Sequence, residues 1–92
     1  MIVSQTPVFS RQKKKLHPNQ IQSLDEAIRT VLDSQMVGEQ KKGDLSFVRI
    51  FKFKMVSGQC LLAYQWIKSD HIALLAMGPH ENFYRNLKRV VL

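Results

Sequence analysis

The chain has 92 residues, 45% of them hydrophobic, and fourteen Lys and Arg against seven Asp and Glu give a net charge of +7. That length is near the smallest that buries a sufficient core, and the apolar share excludes a disordered chain. A single cysteine excludes an internal disulfide framework and a cysteine-rich zinc site, and no run nears the roughly 20 apolar residues that span a bilayer.

One domain over residues 1–92 is expected. Its positive field attracts polyanions: nucleic acid, an acidic protein partner or an anionic membrane surface. The opening "MIVSQTPVFS" lacks the charged start and apolar run of a signal peptide, which predicts a cytoplasmic protein. "MIVSQ" itself suits a short strand on a sheet. Thr6 then Pro7 signals a helix start, a hydroxyl to cap free amides before a residue with fixed φ. In "TPVFSRQKKKL" Phe9 and Leu16 share one side, with Arg11, Lys13, Lys14 and Lys15 around them. "HPN" at 17–19 breaks this helix, because Pro18 disfavours helix at His17 and opens the next one. Ile21, Leu24, Ile28, Val31 and Leu32 recur at intervals of three and four, predicting an amphipathic helix to about Ser34.

"MVGEQKKGDL" (36–45) reads as a connecting loop. Three strands follow: Phe47–Met55, then Cys60–Lys68 after a turn at "VSGQ", then Ile72–Met77 after a turn at "KSDH". Gly78-Pro79 ends the third, and "HENFYRNLKRVVL" places Phe83, Leu87, Val90 and Val91 at helical spacing. Short turns make the strands antiparallel neighbours, so the chain is read as α+β: a helical hairpin on a small antiparallel sheet, with a short C-terminal helix. Alternation puts Phe51, Phe53 and Met55 on one face and Lys52 and Lys54 on the other. If the helices cover the phenylalanines, the lysines belong to a face left open. Cys60, Trp66 and Phe83 sit among apolar neighbours and read as core.

The order of elements, with "KKGDLSFVRIFKFK" (41–54), "LLAYQW" (61–66) and "LLAMGPHENFYRNLKR" (74–89), resembles the RelE/ParE superfamily of bacterial type II toxins over nearly the full length. The resemblance implies a cognate antitoxin, bound as a hetero-oligomer, whose amphipathic segment wraps the toxin. It implies one of two activities. RelE-type members are endoribonucleases that cut mRNA in the ribosomal A site; ParE-type members poison DNA gyrase. In the RelE type two basic residues alternate on the first strand of the meander, here Lys52 and Lys54, and Tyr64-Gln65 follow at the expected spacing. His80 matches a basic or imidazole group after the last strand, and Tyr84 an aromatic hydroxyl. The chain departs at Leu61, where an arginine is common. That cation is absent, or supplied by Arg49 or Arg85.

Cutting RNA through its own 2′-hydroxyl needs a base, cations for the phosphorane and an acid for the leaving oxygen. Lys52 and Lys54, with Cα atoms about 7 Å apart, suit a phosphodiester; the alternative is a solvated strand face. His80 exchanges protons near neutral pH, or is structural. At i and i+4 of a helix, His80 and Tyr84 would face the same way. Glu81 serves as base or caps that helix; Tyr84 donates a hydrogen bond, stacks on a base, or packs. The run Arg11, Lys13, Lys14 and Lys15, with Lys41 and Lys42, is assigned to electrostatics on ribosomal RNA rather than to chemistry. The three histidines lack metal-ligand spacing, and no cofactor is expected. The reading is thus a ribosome-dependent mRNA endonuclease with no membrane role. Its rivals are a gyrase inhibitor and a non-toxic binding module.

Overall fold

Thr6 opens the first helix as its sequence implies. Its Oγ1 accepts the Phe9 N–H at 3.0 Å and donates to the Leu75 carbonyl at 2.6 Å, so one hydroxyl caps the helix and pins it to the sheet. The computed structural model describes residues 1–91. In order they form β1 (Ile2–Gln5), α1 (Pro7–Lys14), α2 (Pro18–Asp33), β2 (Glu39–Gln40), a 3₁₀ turn (Gly43–Leu45), β3 (Arg49–Met55), β4 (Gly58–Lys68), β5 (His71–Gly78) and α3 (Phe83–Val91). The fold is the expected α+β arrangement.

The five strands lie in the order β1-β5-β4-β3-β2, with β1 parallel to β5 and every other pair antiparallel. The short β2 falls inside the segment read as a loop; two charged residues carry no periodicity that announces a strand. Strand β3 begins at Arg49 rather than Phe47, because Leu45 and Val48 fold inward beside the 3₁₀ turn and are buried. On β5 the register slips: Ala63 pairs with Ala76 and Tyr64 with Leu74. Leu75 is the extra residue of this bulge, and Leu75 and Ala76 both enter the α3-side core.

That core has two halves, one per sheet face. Phe9, Leu24 and Val31 from the hairpin meet Leu62, Tyr64, Ile72 and Leu74, with Phe51, Phe53 and Met55 packed alongside. Phe83 and Leu87 of α3 meet Ile50, Leu61, Ala63 and Leu75 on the other face. Fully burying each such side chain contributes about 1.5–3 kcal/mol. The second face is therefore not wholly open, as the sequence reading had it: α3 and Leu45–Val48 cover part of it. Trp66 is half-buried against the hairpin-side core, and its indole N–H is buried without a partner among the described residues.

Candidate functional site

Along β3 the even-numbered residues change character. Ile50 is buried under α3, whereas Lys52 and Lys54 are exposed, and among the described residues neither lysine has an ion-pair partner. Lys52 pairs with Leu61 and Lys54 with Gln59, and Leu61 pairs in turn with Gly78. Lys52, Leu61 and Gly78 thus form one row across the sheet, with His80 two residues past its end. Leu61, the position where an arginine was expected, is fully buried in the α3-side core. It serves packing and offers no charge.

The link from β5 to α3 sets His80 against Tyr84. Asn82 takes φ +59°, a left-handed conformation that asparagine tolerates, and the Phe83 N–H bonds the His80 carbonyl at 3.2 Å. His80 and Glu81 therefore precede the helix rather than lying on it. The His80 and Tyr84 rings still meet edge to face, centroids 5.8 Å apart, and Phe83 supports Tyr84 in the same geometry at 5.6 Å. The Lys41 ammonium stands 4.7 Å over the Tyr84 ring and 3.6 Å from a Glu39 carboxylate oxygen. Lys41 reaches this face because it continues the β2–β3 pairing, its N–H bonding the Val48 carbonyl at 3.0 Å. Nothing in the spacing of "GEQKKGD" marked it apart from Lys42, which is exposed.

Other expected site residues lie elsewhere. Glu81 lines a cavity of about 160 Å³ with Val8, Gln12, Asn86 and Val90, between α1 and α3. Arg11, Lys13, Lys14 and Lys15 ride on α1, which packs against the opposite sheet face from Lys52. Lys15 borders a cleft of about 490 Å³ floored by Leu16, Met55, Cys60 and Met77. Arg49 points to the hairpin side and is consumed locally, donating to the Gly38 carbonyl at 2.7 Å, Met36 Sδ at 3.3 Å and Gln40 Oε1 at 3.5 Å. Arg85 is exposed on α3 and donates to Asn82 Oδ1 at 3.1 Å. Both guanidinium groups are thus taken up by local acceptors.

Arg49 belongs to a network that the sequence did not announce. The buried Tyr64 hydroxyl accepts the Gly38 N–H at 2.9 Å and donates to the Gln35 carbonyl at 3.2 Å. Burial pushes the Tyr64 phenol pKa up, opposed by the Gly38 hydrogen bond and the Arg49 charge. A Cβ on Gly38 would collide with the Tyr64 hydroxyl and ring, so only glycine fits there. The network fastens the α2–β2 connection that delivers Lys41. His71 bonds the Ser4 hydroxyl through Nε2 at 3.0 Å and ties β1 to β5.

Among the described residues no three of His, Cys, Asp or Glu gather as a metal-binding group, and no helix is long and apolar enough to cross a membrane.

Comparison with known proteins gives a family and a fold. A family model for the ParE-like toxin of type II bacterial toxin-antitoxin systems matches residues 3–88. A double arginine-to-alanine mutant of Escherichia coli RelE in the free state is 17% identical, covers 99% of this chain and 97% of its own, and superposes with a TM-score of 0.75. Isolated E. coli RelE in a P21 crystal form is 19% identical over 99% of this chain and 98% of its own, TM-score 0.66. A chain of the intact E. coli RelBE toxin-antitoxin complex is 18% identical over 87% and 96%, TM-score 0.69. At such identities the structures show a shared fold. No curated protein matches the sequence.

Proposed function

The chain belongs to the ParE-like toxin family of type II bacterial toxin-antitoxin systems, and on that premise we propose that it is an endonuclease cutting mRNA on the ribosome. The observation that carries this reading is the partnerless, exposed pair Lys52 and Lys54 on the sheet face that ends at the His80–Tyr84 contact. A nuclease needs cations and a proton-transfer group on one surface, and two lysines and an imidazole here are suited to those parts.

In the proposed reaction the substrate's 2′-hydroxyl attacks the adjacent phosphorus as its proton passes to a base. The bond to the 5′-oxygen breaks, and that oxygen takes a proton. Lys52 and Lys54 hold the phosphoryl oxygens as charge builds, and His80 transfers a proton. Tyr84 orients His80 through the edge-to-face contact and offers its hydroxyl to the substrate. Glu81 has no part in this version, since it lines the cavity between α1 and α3. Likeness to the RelBE complex supports a cognate antitoxin as partner, whose acidic, amphipathic segment would neutralise the +7 charge.

A second reading is favoured by Leu61. Its burial leaves the row between Lys52 and Gly78 without the cation common in RelE-type nucleases, which suits a ParE-like inhibitor of DNA gyrase. Purified protein separates the two. Added to a translating extract it should leave new mRNA ends within codons, and a supercoiling assay with gyrase should be unaffected. Inhibited supercoiling with intact mRNA would replace the first reading by the second.

A further inference from the structure

Lys41 differs from Lys52 and Lys54 in being held. Its side chain is 25% exposed, against 54% for Lys88, the other lysine ion-paired among the described residues, and it is fixed from two sides by the Tyr84 ring and Glu39. Glu39 is itself 73% exposed, so this ion pair is solvated and easily exchanged for another anion. An ammonium has three donors. One meets Glu39 and the ring face takes part of a second, which leaves capacity for an oxygen arriving from solvent.

Its position is also particular. The β2–β3 pairing sets Glu39 opposite Ile50, and Lys41 bonds Val48 one step further on. Lys41 therefore stands beside Val48, on the edge next to the row Val48, Ile50, Lys52, Lys54 and on the face that α3 partly covers. It touches Tyr84, and Tyr84 touches His80. Arg49 and Arg85 are engaged elsewhere, and Leu61 is buried.

We propose that Lys41 is a catalytic residue of this face, its ammonium over the Tyr84 ring donating to the scissile phosphate in place of the charge that Leu61 lacks. This rests on the nuclease reading above. When RNA binds, a phosphoryl oxygen replaces Glu39 as the partner of the ammonium, and the ring keeps the side chain in place. A preorganised donor of this kind gains most as the phosphorane charge develops, so it acts on the chemical step more than on binding.

The test uses single-turnover cleavage of a defined mRNA on programmed ribosomes at saturating protein, with wild type, Lys41→Met, Lys41→Arg and Lys68→Met. Lys41→Met keeps an apolar stem on the Tyr84 ring and removes only the charge. It should slow cleavage by about 100-fold with thermal midpoint and ribosome co-sedimentation unchanged. Lys41→Arg should recover most of the rate, and Lys68→Met, an equal loss of charge at the exposed end of β4, should cleave as wild type does. Wild-type cleavage undiminished in Lys41→Met, or reduced equally in Lys68→Met, would overturn this assignment alone. Absence of cleavage by wild type would overturn the nuclease reading, and this inference with it.

Discussion

Gly38 and Tyr64 show how one residue can be fixed by a distant one. The hydroxyl occupies the space that any Cβ on residue 38 needs. Gly38→Ala should therefore cost about 1–3 kcal/mol of stability in urea denaturation. Tyr64→Phe strands the Gly38 N–H and should cost about 1–3 kcal/mol. Their combination should cost less than the sum, because removing the hydroxyl gives back part of the space. The same burial has a signature in pH. Tyr64 and Cys60 both have pKa values raised, chiefly by burial, and both are neutral when protonated. The native state thus holds these protons more tightly than the unfolded chain. Their stability contribution is complete below the unfolded values, about 8.5 for cysteine and 10 for tyrosine, and is lost as pH rises through the folded ones. Unfolding free energy should fall on the alkaline side, and Tyr64→Phe should remove the part of the fall above about pH 10.

At the scale of elements, α1 depends on its first residue. Thr6 both caps the helix and donates to Leu75 of β5, so Thr6→Ala should lower stability by about 1–2 kcal/mol in thermal or urea unfolding. Thr6→Ser, which keeps the hydroxyl, should recover most of it. This cap was legible because its chemistry is local: a hydroxyl, a proline and an apolar residue within four positions, Thr6 to Phe9. Helix α2 was legible for a similar reason, its Leu24, Val31 and partners following a single period. What escaped were features decided by distant residues. Strand β2 exists only because Ile50 and Arg49 offer it an edge. The bulge at Leu75 follows from how β5 must meet β4 and α3 together. The candidate site divides along the same line. Alternation on β3 placed Lys52 and Lys54 together, and His80 and Tyr84 do meet, though across a turn and not along a helix. Lys41, Arg49 and Glu81 took places that depend on which face each element turns inward, and no local spacing encodes that.

For the whole molecule, the arrangement of charge matters more than its sum. The cations of α1 and those of β3 lie on opposite sides of the sheet. A wrapped partner can cover both, whereas a single RNA strand on the α3 face meets only the second group. Each phosphate neutralised on a single strand contributes about 0.7 to the slope of log affinity against log salt concentration. Replacing Lys52 and Lys54 by alanine should lower that slope for ribosome binding by roughly 1–2, while Lys13→Ala/Lys14→Ala changes affinity for an acidic antitoxin segment instead.

We propose above all that Lys52, Lys54 and His80 make a phosphate-cleaving face. Primer extension on a reporter mRNA, after brief expression without antitoxin, tests it most directly. Wild type should produce new 5′ ends within translated codons, and blocking translation initiation should abolish them. His80→Ala and the paired Lys52→Ala/Lys54→Ala should leave the message intact while folding normally. Intact mRNA beside arrested growth in the wild type, or cleavage that persists in those variants, would contradict the claim and leave the lysines a binding surface alone.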